Sequence, residues 1–145
     1  MTRGQLFENG SEIRVSASPQ ASCFACGPGN PHGLRLQFST VQSGDTLAEW
    51  VPDTFTEGFH GIVHGGIVST VLDEAMSKAV AAAGMPALTA ELRVRLRRPV
   101  VPGVLLRVRG WINSQTRRLI KTEAAITDSK GTELAHAWAT FLTVK

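Results

Sequence analysis

Residues 58–84, GFHGIVHGGIVSTVLDEAMSKAVAAAG, hold the only long helical pattern in the chain, and the remainder reads as strands arranged around it. Apolar residues at Ile67, Val68, Val71, Leu72, Ala75, Met76, Ala79, Val80 and Ala83 make a stripe too broad for a half-exposed helix. The pattern predicts a helix mostly surrounded by protein. Gly84 and Pro86 supply its stop: one tolerates positive φ, the other cannot continue the hydrogen-bond ladder. No Ser, Thr, Asp or Asn stands at the usual cap position, so the first-turn amides at Gly65 and Gly66 are expected to be open.

Two acids interrupt the apolar stripe, and their neighbours separate them. Glu74 has Lys78 four residues on, the favourable orientation for a solvated ion pair. Asp73 has Ser69, Thr70, Met76 and Ser77 at its helical neighbours and no cation. A carboxylate so placed is costly unless it meets solvent, a donor or a substrate, which makes Asp73 a candidate for chemistry.

Working outward, a chain of 145 residues corresponds to about one domain with a real core, taken here as 23–145 after a poorly ordered lead over 1–22. Within that lead one short helical turn is expected near Gln5 to Asn9. No apolar run approaches the roughly 20 residues of a membrane span, and MTRGQLFENGSEI lacks the apolar core of a signal peptide, so a cytoplasmic protein without membrane association is expected. The net charge of +3 invites a nucleic-acid reading, but the arginines are interleaved with Leu and Val in strand-like segments without exposed aromatics. That pattern fits a small anionic ligand better than a nucleic acid.

The segment CFACGPGNPHGLRLQF is dense in turns and feeds an alternation of Leu34, Leu36 and Phe38 against Arg35, Gln37 and Ser39, read as the first strand. Cys23, Cys26 and His32 could be three metal ligands, yet structural zinc sites usually have four. The favoured reading is two small buried side chains steadying a loop, with metal or redox roles as alternatives and no metal ligand assigned. TLAEWV, ELRVRLRRPV, VLLRVRGWI, LIKTEAAITD and TELAHAWATFLTV follow as further strands. In the second of these Leu92, Val94 and Leu96 should face inward against outward Arg93, Arg95 and Arg97. His136 is expected to be a packed strand residue, and Trp111 and Trp138 core or interface residues. The sum is an α+β domain, one buried helix along an antiparallel sheet of about six strands.

His64-Gly65-Gly66, then Asp73, then TAELRVRLRRPVVPG resemble the hot-dog fold acyl-CoA thioesterases of the PaaI-like, phenylacetic-acid-pathway type, within the 4-hydroxybenzoyl-CoA thioesterase superfamily. CFACGPGNPHGL looks like the loop before the first strand in one branch of that family. The resemblance implies a long helix wrapped by a curved sheet, homodimers often paired into homotetramers, and hydrolysis of acyl-CoA thioesters with no cofactor beyond the coenzyme A of the substrate. It implies Asp73 as general base or nucleophile, Gly66 as the amide polarising the thioester carbonyl, and His64 and Gly65 as the motif residues beside it. Thr89 matches a hydroxyl residue that helps hold the water. Six residues before His64, where some relatives carry an amide side chain, this chain has Gly58, with Glu57 and His60 as possible substitutes. A non-catalytic acyl-CoA-binding module and a CoA-thioester hydratase or dehydratase are the alternatives.

Helix geometry bears on the same residues independently. Gly66 and Asp73 lie roughly 10 Å apart along the axis, too far for one thioester to touch both, which favours a site shared between two subunits. First-turn amides point where a tetrahedral intermediate gains negative charge. Arg97, Arg98, Arg117 and Arg118 flank turns at strand ends and are expected to meet the phosphates of coenzyme A.

Overall fold

The computed structural model describes residues 21–144 in full and the backbone of Arg3–Leu6 and Glu12–Val15 before them. Those two short segments, β1 (Arg3–Leu6) and β2 (Glu12–Val15), pair antiparallel as a small separate sheet. The helical turn expected near Gln5 is therefore corrected at Gln5 and Leu6, which are strand; the rest of that expectation, at residues 7–9, lies outside the described residues.

The main sheet has six antiparallel strands: β3 (Ser39–Thr40), β4 (Thr46–Trp50), β5 (Ala87–Leu96), β6 (Leu106–Gln115), β7 (Leu119–Thr127) and β8 (Glu133–Thr143). Their spatial order is β3-β4-β6-β7-β8-β5, so the strand that follows the helix crosses to the far edge and, among the described residues, pairs only with β8. The helix α1 (Gly65–Ala82) lies across this sheet and buries Val68, Val71, Leu72, Ala75, Met76, Ala79 and Val80. The broad stripe does what its width required. Gly84 at φ 79° ends the run.

Period-two alternation selects the residues the helix meets: Leu106, Val108 and Gly110 on β6, Ile120, Thr122, Ala124 and Ile126 on β7, and Ala135, Ala137, Ala139 and Phe141 on β8. Several are small because the helix comes close. A side chain at Gly110 would run into the Ala75 carbonyl, and the Thr46 hydroxyl on the neighbouring strand donates 2.8 Å to that same oxygen.

Four expectations need correction. The first strand is not formed by Leu34 to Phe38: Arg35 sits at φ 54°, Leu34 and Leu36 donate from their amides back to Phe24 and Ala25, and pairing in the main sheet begins only at Ser39. Leu36 is nevertheless buried, so the alternation reports burial without a ladder. Of the two places expected for Trp111 and Trp138, core or interface, the core is excluded: they flank His136 on the sheet face away from α1, where Glu123 Oε2 lies 2.6 Å from the imidazole and Glu133 contacts it as well. The buried indole is Trp50.

Glu74 is not a solvated helix residue, although its contact with Lys78, 3.7 Å, forms as the spacing predicts. The two side chains are only 15% and 20% exposed, because the Cys23–Cys26 loop packs beside them. Finally, Leu92 and Leu96 pair with the inward Ala139 and Ala135 but remain 38% and 53% exposed. They point to the helix side of β5 at the rim of the sheet, beyond the cover that α1 provides.

Candidate active site at the helix start and at Asp73

The chain reaches α1 through a tight loop. Thr54–Thr56 make one 3₁₀ turn, Glu57 bridges Val63, and the His64 amide donates 2.8 Å to the Thr56 carbonyl. His64 thereby stands at the cap position with extended backbone, and its Nδ1 accepts the Gly66 N–H at 2.8 Å. The expectation of an open first turn is corrected here: an imidazole performs the capping that Ser or Asp performs elsewhere. Because Nδ1 accepts, the proton of the neutral ring is on Nε2. The Ile67 and Val68 amides reach the His64 carbonyl at 2.9 and 3.1 Å. Among the described residues the Gly65 N–H alone of these first amides has no protein acceptor.

Gly65 lines a cleft of about 390 Å³ together with Phe59, Ile62, Leu96, Arg97 and Arg98. The wall is largely apolar and the two guanidinium-bearing residues stand beside it. Arg97 also pairs with Glu133 at 3.4 Å. Gly58 lines the same cleft, and a side chain there would meet the His64 Cα at 3.1 Å and ring at 3.2 Å. The capping histidine therefore leaves little room for a side chain at Gly58.

Glu57 and His60 do not line this cleft. Glu57 accepts the Gly61 amide and lies 3.6 Å from the His60 ring, which is fully exposed. Within this chain their contacts are to the loop itself. Arg117 and Arg118 are also remote from it. They line a separate groove with Gly84 and Pro86 at the other end of α1, roughly 27 Å away along an 18-residue helix. The four arginines fall into two pairs.

Asp73 is half-buried on the flank of α1 that faces β5, and Thr89 Oγ1 donates 2.8 Å to its Oδ1. Burial pushes the carboxyl above its ordinary 3.8, the Thr89 hydrogen bond opposes that by favouring the ionised form, and neighbouring Glu74 adds to the rise. No cation pairs with Asp73 among the described residues. Sequence spacing gave no sign of the Thr89 contact, which depends on β5 returning along the helix with a bulge between Thr89 and Glu91.

Behind α1, Cys26 has its thiol pushed up to about 12, first by burial and then by hydrogen bonding to Glu74 and Cys23. His32 is exposed and stands apart from this group.

One long helix lying across a six-stranded antiparallel, unclosed sheet is the hot-dog fold. The chain belongs to the thioesterase superfamily, whose family model matches residues 60–135, from the loop before α1 into β8. Among solved structures, a thioesterase superfamily protein is similar at 24% identity and a TM-score of 0.79, covering 92% of this chain, which spans 66% of that protein's length. The Escherichia coli PaaI protein from the phenylacetic acid degradation operon is similar at 16% identity and a TM-score of 0.70, covering 75% of this chain and 83% of that one. A Streptococcus pneumoniae hypothetical thioesterase solved with coenzyme A is similar at 17% identity and a TM-score of 0.71, covering 75% of this chain and 85% of that one. No functionally curated protein matches the sequence. No helix among the described residues is long and apolar enough to cross a membrane.

Proposed function

We propose that the protein hydrolyses acyl-CoA thioesters to the free acid and coenzyme A, at a site shared between two copies of the chain. The observation that carries this reading is Asp73: a half-buried carboxylate with no paired cation among the described residues, held by Thr89, on a helix whose first residue presents an amide without an acceptor among those residues to an apolar cleft.

In this reading the Gly65 N–H receives the thioester oxygen. The Gly66 N–H joins it only when the His64 ring turns away. Eight residues separate Gly65 from Asp73, about 12 Å of helix, so the carboxylate acting on a given thioester belongs to the other subunit. Asp73 takes a proton from water while the oxygen attacks the carbonyl carbon, or attacks that carbon itself to give a mixed anhydride that water then cleaves. In both routes the C–S bond breaks and coenzyme A leaves as the thiolate, a good leaving group because its thiol pKa is about 8.5. The exposed apolar edge at Leu92 and Leu96 supports association with a second copy. Arg97 and Arg98 supply the cationic rim for the phosphates.

Purified protein is to be offered short, medium, long and aromatic acyl-CoAs with a free-thiol readout, beside Asp73→Asn. Thiol release by the wild type that collapses in the variant supports the assignment. No release on any acyl group overturns it. The imidazole packed over Gly58 favours one second reading, a binding module without turnover, which saturable acyl-CoA binding in the absence of thiol release supports.

A further inference from the structure

A second cluster of reactive side chains lies on another flank of α1, away from the cleft. Cys23 and Cys26 come from the loop before β3 and Glu74 from the helix, and one donor atom from each lies within 4.8 Å of the other two. Two sulfurs and one oxygen around one tetrahedrally bound ion, at about 2.3 Å for sulfur and 2.0–2.2 Å for oxygen, stand about 3.5 to 3.8 Å from one another. The observed grouping needs only small side-chain adjustments to reach that.

The backbone is arranged to hold the thiols together. The Gly27 amide donates 2.8 Å to the Cys23 carbonyl, closing the Cys-x-x-Cys turn, and a side chain at Gly27 would run into the Cys23 backbone. The turn is fixed in place because the amides of Leu34 and Leu36 bond to the carbonyls of Phe24 and Ala25. Both cysteines are free and half-buried, shielded yet within reach of an ion.

Charge balance also fits. Two thiolates and a carboxylate carry three negative charges. A divalent ion leaves one, and Lys78, which lies 3.7 Å from Glu74 Oε1 and also hydrogen-bonds the Cys26 thiol, offsets it. The carboxylate has a second oxygen, so its contact with Lys78 does not exhaust it. Sulfur donors select soft ions over magnesium or calcium.

We propose that Cys23, Cys26 and Glu74 form a binding site for one soft divalent metal ion of the zinc class, with solvent in the fourth position, tying the loop to α1. Binding releases the two Sγ protons to solvent as two S–metal bonds form. The site replaces the His32 alternative drawn from spacing alone, and it is independent of thioester hydrolysis, which uses none of these three side chains.

The test is titration of the full-length protein, reduced and stripped with a chelator, with Co(II) as the probe. The readout is near-ultraviolet thiolate-to-cobalt charge transfer, with circular dichroism as the folding control. We expect saturation at one cobalt per chain, displacement by Zn(II), no band in Cys23→Ser or Cys26→Ser, and no change in His32→Ala. Glu74→Gln should weaken binding at least about 10-fold, no less than loss of an outer-sphere partner costs at other metal sites. Should the serine variants fail to fold, Zn(II) protection of the wild-type thiols against a disulfide-exchange reagent gives the same answer. The proposal is overturned by the absence of a band at excess cobalt, by a band that survives Cys26→Ser, by unchanged affinity in Glu74→Gln, or by thiols that react equally fast with and without zinc.

Discussion

Thr89 Oγ1 donates a 2.8 Å hydrogen bond to Asp73 Oδ1, joining the edge strand β5 to the middle of α1 at the one helix carboxylate that has no paired cation among the described residues. This bond favours the ionised carboxylate, against burial, which favours the protonated one. Removing it in Thr89→Val should move the Asp73 pKa further up. The acid limb of kcat/KM then shifts to higher pH while the alkaline side is unchanged. A pH profile that does not move would show that the hydroxyl does not set the charge of Asp73.

Asp73→Asn should lower kcat by about 10² to 10⁴-fold, the range for loss of a general base. The same change should stabilise the fold at neutral pH. A carboxyl whose pKa is raised in the folded state binds protons more tightly there than in the unfolded chain, so stability falls as pH rises from its ordinary 3.8 through the raised value. The variant lacks that loss. Thermal denaturation at neutral and acid pH should show an advantage over wild type that vanishes below the ordinary carboxylate range.

His64→Ala removes the cap from Gly66, at about 0.5 to 2 kcal/mol, and should reduce activity by letting the first turn fray. His64→Asn can accept the same amide. Recovery of both melting temperature and kcat in His64→Asn would assign the residue a positioning role; recovery of stability without rate would assign the imidazole a part in the chemistry.

Leu92→Glu with Leu96→Glu should convert an oligomer to monomers, read by light scattering on a sizing column. Activity should fall with it if, as proposed, the carboxylate and the amide serving one thioester come from different copies. A monomeric variant with full kcat would show that one chain suffices.

Arg98 lines the rim of the cleft; if, as proposed, it meets the phosphates, Arg98→Ala should raise KM for acyl-CoA several-fold with little change in kcat, and the effect should shrink as salt is raised, because a solvent-facing charge contact is screened. An equal loss in kcat would place the guanidinium near the reacting atoms.

Much of the fold is legible because its causes are local. The apolar breadth from Ile67 to Val80 announces a buried helix, and alternation along β6, β7 and β8 separates the core from the outer face. What was not legible depends on contacts between distant segments. Local spacing gives Glu74 the pattern of a solvated residue because the loop that covers it lies some fifty residues earlier, and the His64 cap carries no sequence signal because histidine is not among the usual capping residues. The alternation at Leu34 to Phe38 was real, but Arg35 turns the backbone out of the extended region before a ladder can form. Asp73 could be singled out by its missing partner, whereas Thr89, sixteen positions on, becomes its neighbour only through the return path of β5.

The meeting of Gly110, Thr46 and Ala75 places backbone against backbone, with a hydroxyl clasping a helix carbonyl two residues beyond Asp73. Side-chain packing elsewhere along α1 can drift by a methyl group and be absorbed by its neighbours, but here there is no side chain to yield. The contact works as a fiducial mark: it sets where the helix stops sliding along the sheet, and so fixes how far the acid sits from each end of the fold. Substitutions that reshape the cleft around Phe59 or Ile62 can then retune what enters without recalibrating the position of Asp73.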